Sequence, residues 1–197
     1  VPVGDQIGQT RDRQLDALEL VGQALSRHLD QPVSDLWTMR NGYALCTEHG
    51  LKAITQLVAD EGETLCDELR ASLRIGWHQD VEVTDAHEGQ RPFVTQAFCS
   101  ALPVAYGGGR REDWEALTRI VLEAAYEATL LAAVGRASNI VLLTRVGGGA
   151  FGNTDDWIDD AILRAIRIAS RAGLDIRLVS RGQVHPSFRA IADRFSP

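Results

Sequence analysis

The chain has 197 residues, of which 45% are hydrophobic, 24% charged and 6% aromatic. Those proportions fit one domain over 1–197 with a sizeable core, and they exclude a disordered tail, a collagen-like chain and a coiled coil. Net charge is −7, from 27 acidic and 20 basic residues, so the average surface repels duplex nucleic acid and no nucleic-acid partner is expected. A local anion site survives this argument, because backbone amides bind phosphate without Lys or Arg.

The apolar stretch 124–134 carries Tyr126 and Glu127 and is too short and too interrupted to span a bilayer, so no membrane partner is expected either. Val1-Pro2-Val3-Gly4-Asp5 has neither a basic region nor an apolar run, and the first residue is not Met, which reads as a chain trimmed upstream. Cys46, Cys66 and Cys99 form no CxxC pair and no even set. That pattern points to a reducing, cytoplasmic compartment rather than a disulfide scaffold. The five histidines are scattered without zinc spacing, so no metal is expected.

Leu15, Leu18, Val21, Leu25 and Leu29 recur at helical spacing and predict a helix over Thr10–Leu29, stopped by Gln31-Pro32. The short apolar run Tyr43–Cys46 after Asn41-Gly42 reads as a strand or the end of a loop. A helix follows over Thr47–Ala59 with Thr47 as its cap, then another over Glu63–Leu73. Val81–Thr84 and Phe93–Phe98 read as strands around the polar loop Asp85–Pro92. Asp113–Val134 is the strongest helix, with Leu117, Ile120, Val121, Ala124, Ala128 and Leu131 on its apolar face and Gly135 at its end. Asn139–Thr144 is a continuous apolar run, the pattern of a strand buried on both faces. A helix over Asp155–Arg171, a strand over Leu174–Ser180 and a last helix over Pro186–Phe195 complete the chain. The order of the second half predicts an α/β fold: a three-layer α/β/α sandwich with a mixed, mostly parallel sheet.

The segment Val146-Gly147-Gly148-Gly149-Ala150-Phe151-Gly152-Asn153 joins that apolar strand to a helix. Ligands in such sheets sit beyond the carboxyl ends of strands, facing loop amides. Four glycines in six positions let the backbone approach a ligand, and successive amides in that geometry wrap a phosphate. Phe151 is placed to pack on a sugar or base. Asp155 and Asp156 repel an anion set directly over them, so the phosphate belongs on the glycine turn. A tight strand–helix connection without a ligand is the plainer alternative. The pattern matches neither the P-loop nor the GxGxxG fingerprint.

Several motifs in matching order resemble macrodomains, which bind ADP-ribose. They are His78-Gln79-Asp80-Val81-Glu82-Val83-Thr84-Asp85, then 94–106 (VTQAFCSALPVAY), 122–133 (LEAAYEATLLAA) and the glycine loop. The Gly149-Ala150-Phe151-Gly152 segment is similar to the diphosphate loop of poly(ADP-ribose) glycohydrolases. The closer resemblance, over 41–180, is to a bacterial branch of arginine-specific macrodomain ADP-ribosyl hydrolases. The Asn-Ala-Ala-Asn run of many macrodomains and the paired glutamates of the glycohydrolases are absent from the sequence, so those catalytic residues do not carry over.

The resemblance implies an enzyme that takes ADP-ribose and ADP-ribosylated protein as partners, removes mono-ADP-ribose from arginine, and needs no cofactor. Gly147, Gly148, Gly149, Ala150, Phe151, Gly152 and Asn153 are the expected ADP-ribose contacts, with Asn41 and Tyr43 if theirs is the first ligand loop. Cleavage at the anomeric carbon passes through an oxocarbenium-like state, which carboxylates stabilise. Asp80 and Asp85 bracket the strand at 81–84 and are the expected catalytic pair, with solvated strand-end charges as the alternative; Glu82 shares the parity of Asp80.

Weaker candidates have plainer readings. Cys99 and Ser100 lack an activating partner in sequence, Glu123 and Glu127 read as a solvated helix face, and Trp114 and Tyr126 read as core. Tyr106, before Gly107-Gly108-Gly109, reads as a cleft gate or the start of a flexible turn, and His78 as structural. The rival functions are a non-catalytic ADP-ribose or nucleotide reader, an NAD-dependent oxidoreductase, and a scaffold, which leaves the glycine cluster unexplained.

Overall fold

A computed structural model describes residues 2–3, 6–7, 14–85, 89 and 91–195. β1 (Pro2–Val3) and β2 (Gln6–Ile7) pair antiparallel. α1 runs over Glu19–Leu29, shorter than its leucine pattern predicts; residues 10–13 lie outside the described residues. Leu15 is exposed, and the Asp16 carboxylate accepts the Leu18 amide at 2.8 Å, so a side-chain turn starts where the helix was expected to continue.

A single turn, α2 (Val33–Leu36), leads into the hairpin of β3 (Trp37–Arg40) and β4 (Tyr43–Cys46). Asn41 and Gly42 form its two-residue turn with φ of 52° and 81°, the positive values that an Asn-Gly hairpin turn requires. α3 (Glu48–Glu61) starts as expected: the Thr47 hydroxyl accepts the Gly50 amide at 2.9 Å. α4 (Glu63–Ser72) follows at once.

β5 (Gly76–Glu82) and β6 (Phe93–Phe98) form an antiparallel ribbon. The strand starts earlier and ends sooner than 81–84. His78 pairs with Gln96 and Val81 with Val94, so two residues, Gln79 and Asp80, stand opposite Thr95. This is a bulge, with Asp80 held at φ 52°. The extra residue interrupts the ladder, and Asp80 and Glu82 are both exposed.

After a 3-10 turn at Val104–Tyr106 comes the long α5 (Arg111–Ala133). Its core face is wider than the stripe read from spacing, because it packs on α3 and α4 on one side and α6 on another. Leu122 and Leu130 are buried, whereas Leu131 is 49% exposed. Glu123 and Glu127 are not a solvated face either. Arg70 Nε donates to Glu123 Oε2 at 2.6 Å, and Arg164 Nη2 stands 3.8 Å from Glu127 Oε2.

β7 (Ile140–Leu143) pairs in parallel with β8 (Asp175–Leu178), and the glycine loop and α6 (Asp155–Ala169) join them; α7 (Pro186–Phe195) closes the chain. Ile158, Ile162, Ala165, Ile166 and Ala169 of α6 are all buried, as their spacing predicts. β7 departs from expectation: Val141 and Leu143 face the core, but Ile140 and Leu142 are exposed, so only one face is buried. The chain mixes helix and strand as an α/β fold does. Its four ladders, one parallel and three antiparallel, are separate two-stranded pairs among the described residues, and a mostly parallel sheet is not assembled from them. Among those residues no helix is long and apolar enough to cross a membrane.

Candidate functional site

The glycine turn is built by close packing. Gly147, Gly149 and Gly152 have φ of 84°, 68° and 74°, left-handed values that other residues adopt only at a cost. Two of them also need the absence of a side chain. A Cβ on Gly147 would meet Ala101 Cβ at 2.4 Å, and one on Gly152 would meet Ala105 Cβ at 3.0 Å. Residues 101–105 therefore form the wall behind the turn. Gly149–Phe151 makes one 3-10 turn, closed by the Gly152 amide on the Gly149 carbonyl at 3.0 Å. The leading amides of such a turn have no acceptor within it. Gly148, Gly149 and Ala150 are exposed, and Gly147, Phe151 and Gly152 half-buried.

Asn153 is buried, unlike the ligand contact expected from sequence. Its Nδ2 donates to the Leu102 carbonyl at 2.9 Å, and its backbone amide to the Gly147 carbonyl at 3.1 Å. It ties the turn to the wall and does not face solvent. Asn153 Oδ1 and Thr154 Oγ1 are buried without a partner among the described residues. Native structures keep few such atoms, and each costs about 1–3 kcal/mol.

Three aromatic rings gather over the turn. The Tyr43 and Phe151 centroids are 5.7 Å apart at 90°, Tyr43 and Tyr106 are 6.1 Å apart, and Tyr106 and Phe151 are 6.1 Å apart at 80°. The hairpin turn at Asn41-Gly42 supplies Tyr43. Tyr106 is placed by the 3-10 turn at 104–106, which the Trp114 indole anchors nearby by donating to the Gly108 carbonyl at 2.9 Å. Tyr43 and Tyr106 remain 42% and 57% exposed among the described residues. Asn41 and Tyr43 also line an open cleft of about 450 Å³, with Asp16, Arg74, Ser100 and Leu102. Ala101 belongs to this lining and stands behind Gly147, so cleft and turn share a wall.

Asp80 and Asp85 are not among the residues of that lining. Both are exposed, Asp80 in β5 and Asp85 just past its end, and the Asp85 carboxylate accepts the neighbouring Thr84 hydroxyl at 3.5 Å. The ribbon is held near the end of α5, where the Arg136 guanidinium lies 5.2 Å from the Trp77 ring centroid. The structure thus brings Tyr43, next to the Asn41-Gly42 turn, against Phe151 of the glycine turn, whereas Asp80 and Asp85 are carried by a different element, the β5–β6 ribbon and its end. Cys99 lines the cleft, but burial pushes its thiol pKa up, and it makes a poor nucleophile. Burial pushes Cys46 further, to about 12.

Sequence reasoning missed the support beneath the turn. Tyr126 is buried, and its hydroxyl donates to the Thr144 carbonyl at 2.7 Å and accepts the Val146 amide at 2.8 Å. It grips the chain on both sides of Arg145, where the strand becomes the turn. Burial raises its pKa, so it stays protonated and keeps both bonds. Tyr126→Phe leaves two backbone groups unpaired and is expected to cost about 2 kcal/mol. In thermal unfolding that is a fall in Tm of roughly 4–8 °C for a chain of this size; an unchanged Tm would contradict the role.

Comparison with protein-family models, curated proteins and solved structures gave no match to this chain.

Proposed function

We propose that this protein binds ADP-ribose on the glycine turn and removes it from modified arginine side chains. The observation that carries the binding half is the juxtaposition of the left-handed glycine turn with the exposed rings of Tyr43, Tyr106 and Phe151. Backbone amides suit a diphosphate, and aromatic faces suit the sugar and base on either side of it. In the same reading the ladders are parts of one three-layer α/β/α sandwich around a mixed, mostly parallel sheet. Three free thiols suit a reducing, cytoplasmic setting.

The hydrolytic half rests on the resemblance of the 78–85 segment. Water adds to the anomeric carbon of the proximal ribose, the carbon–nitrogen bond breaks, and guanidine leaves with its proton count restored by the proton that water releases. In this scheme Asp80 and Asp85 orient the ribose hydroxyls, offset the oxocarbenium charge and carry that proton. A carboxylate pair also attracts a cationic guanidinium. One observation favours a second reading, a reader of ADP-ribose without catalysis: both carboxylates are exposed to solvent, as strand-end charges would be.

Calorimetry with ADP-ribose, AMP and NAD tests the binding half. Saturable binding of ADP-ribose in preference to the other two is expected, and absence of any heat contradicts it. Incubation with arginine-ADP-ribosylated protein separates enzyme from reader: release of free ADP-ribose is expected, and a label that stays in place favours the reader.

A further inference from the structure

The glycine turn is bridged at its base by a residue outside it. Arg145 immediately precedes the turn, and its side chain, 12% exposed, reaches across to the far flank. Nη2 donates to Asp155 Oδ1 at 2.7 Å. Nη1 donates to Ser187 Oγ at 2.6 Å and also to Asp159 Oδ1. Ser187 donates in turn to Asp159 Oδ1 at 3.0 Å and lies 2.8 Å from His185 Nδ1, while the Phe188 ring sits 5.6 Å from the guanidinium. One planar group therefore joins residues 145 and 155, the two ends of segment 146–154. Only arginine presents a fork that engages several oxygens in fixed directions.

The same group answers an electrostatic difficulty. Asp155 and Asp159 lie at the start of α6, just past the turn, and two uncompensated carboxylates there oppose a bound anion. The exposed pair with Asp155 is weak alone, but Asp159 is 19% exposed and its pair with Arg145 is less screened.

We propose that Arg145 is a positioning residue that closes the base of the glycine turn and offsets the Asp155 and Asp159 carboxylates, so that the turn is pre-set for a diphosphate. This rests on the ADP-ribose reading above. The test uses the full chain with Arg145→Gln, which removes charge and fork, and Arg145→Lys, which keeps the charge. The Kd for ADP-ribose is read well below each Tm, so that only folded protein is compared. Arg145→Gln is expected to weaken binding about tenfold and Arg145→Lys about threefold, a partial rescue. A residue of purely structural importance would lower Tm and leave both Kd values at that of the wild type; that result overturns the proposal. Should Arg145→Gln not fold, Arg145→Lys carries the same comparison.

Amide hydrogen exchange gives a readout independent of the ligand. Exchange at 146–154 is expected to quicken by about tenfold in both variants while α3 stays protected. If the wild type fails to bind ADP-ribose, the functional reading falls, and exchange alone judges the clamp: selective loss of protection at 146–154 supports it, and unchanged exchange overturns it.

Discussion

Gly147→Ala is expected to destabilise the protein by about 2–4 kcal/mol, through overpacking and backbone strain together, and to abolish ADP-ribose binding in what remains folded. The added methyl meets Ala101 Cβ at 2.4 Å and Asn153 Cγ at 2.9 Å, and neither is the far end of a flexible chain. Ala101 belongs to the wall at 101–105, and Asn153 is fixed by its bond to the Leu102 carbonyl. Relief therefore requires the whole turn to lift from its wall, which moves the amides and the Phe151 ring together. Gly149→Ala is the control. Gly149 is also left-handed at φ 68°, but nothing lies within 4 Å of an added Cβ. Its cost is the backbone term alone, about 1–2 kcal/mol. Thermal unfolding and calorimetry on the two variants distinguish them. Wild-type Tm and Kd in Gly147→Ala contradict the packing argument.

Asp80→Ala and Asp85→Ala are expected to lower release of ADP-ribose from arginine by at least about 100-fold each, the scale of a lost acid–base group. The Kd for free ADP-ribose should change by no more than about twofold, since in this scheme the carboxylates act on the oxocarbenium-like state and the glycine turn holds the diphosphate. Asp80 is the more telling position. It occupies a bulge at φ 52°, a conformation that glycine adopts more easily. Asp80→Gly should therefore keep or raise Tm while losing turnover, which separates a chemical role from a structural one. Full turnover in both alanine variants would remove these carboxylates from the mechanism and leave the binding site as argued.

Much of this site is legible in residue order. The Asn-Gly turn that carries Tyr43, the Thr47 cap, the inward face of α6 and the glycine turn all follow from local chemistry, because each depends on residues within a few positions of one another. What escapes is what distant packing decides. The inserted residue at the bulge holds Asp80 at positive φ, and nothing in the composition of 76–82 marks it. β7 reads as buried on both faces because Ile140 and Leu142 are as apolar as Val141 and Leu143; only the arrangement of neighbours leaves them exposed. Glu123 turns inward because Arg70, 53 positions earlier, meets it. Arg145 looks like an ordinary loop charge until Asp155, Asp159 and Ser187 converge on it. Asn153 fits the ligand-contact pattern by position, yet its burial against Leu102 makes it a tie within the turn.

A crystal of the protein soaked with ADP-ribose tests the central claim most directly. Diphosphate oxygens should appear within hydrogen-bonding distance of amides at 148–151, with a ring of the aromatic cluster against the adjoining ribose. Nucleotide density bound elsewhere, with the turn unoccupied and Tyr43, Tyr106 and Phe151 free of ligand, would contradict it.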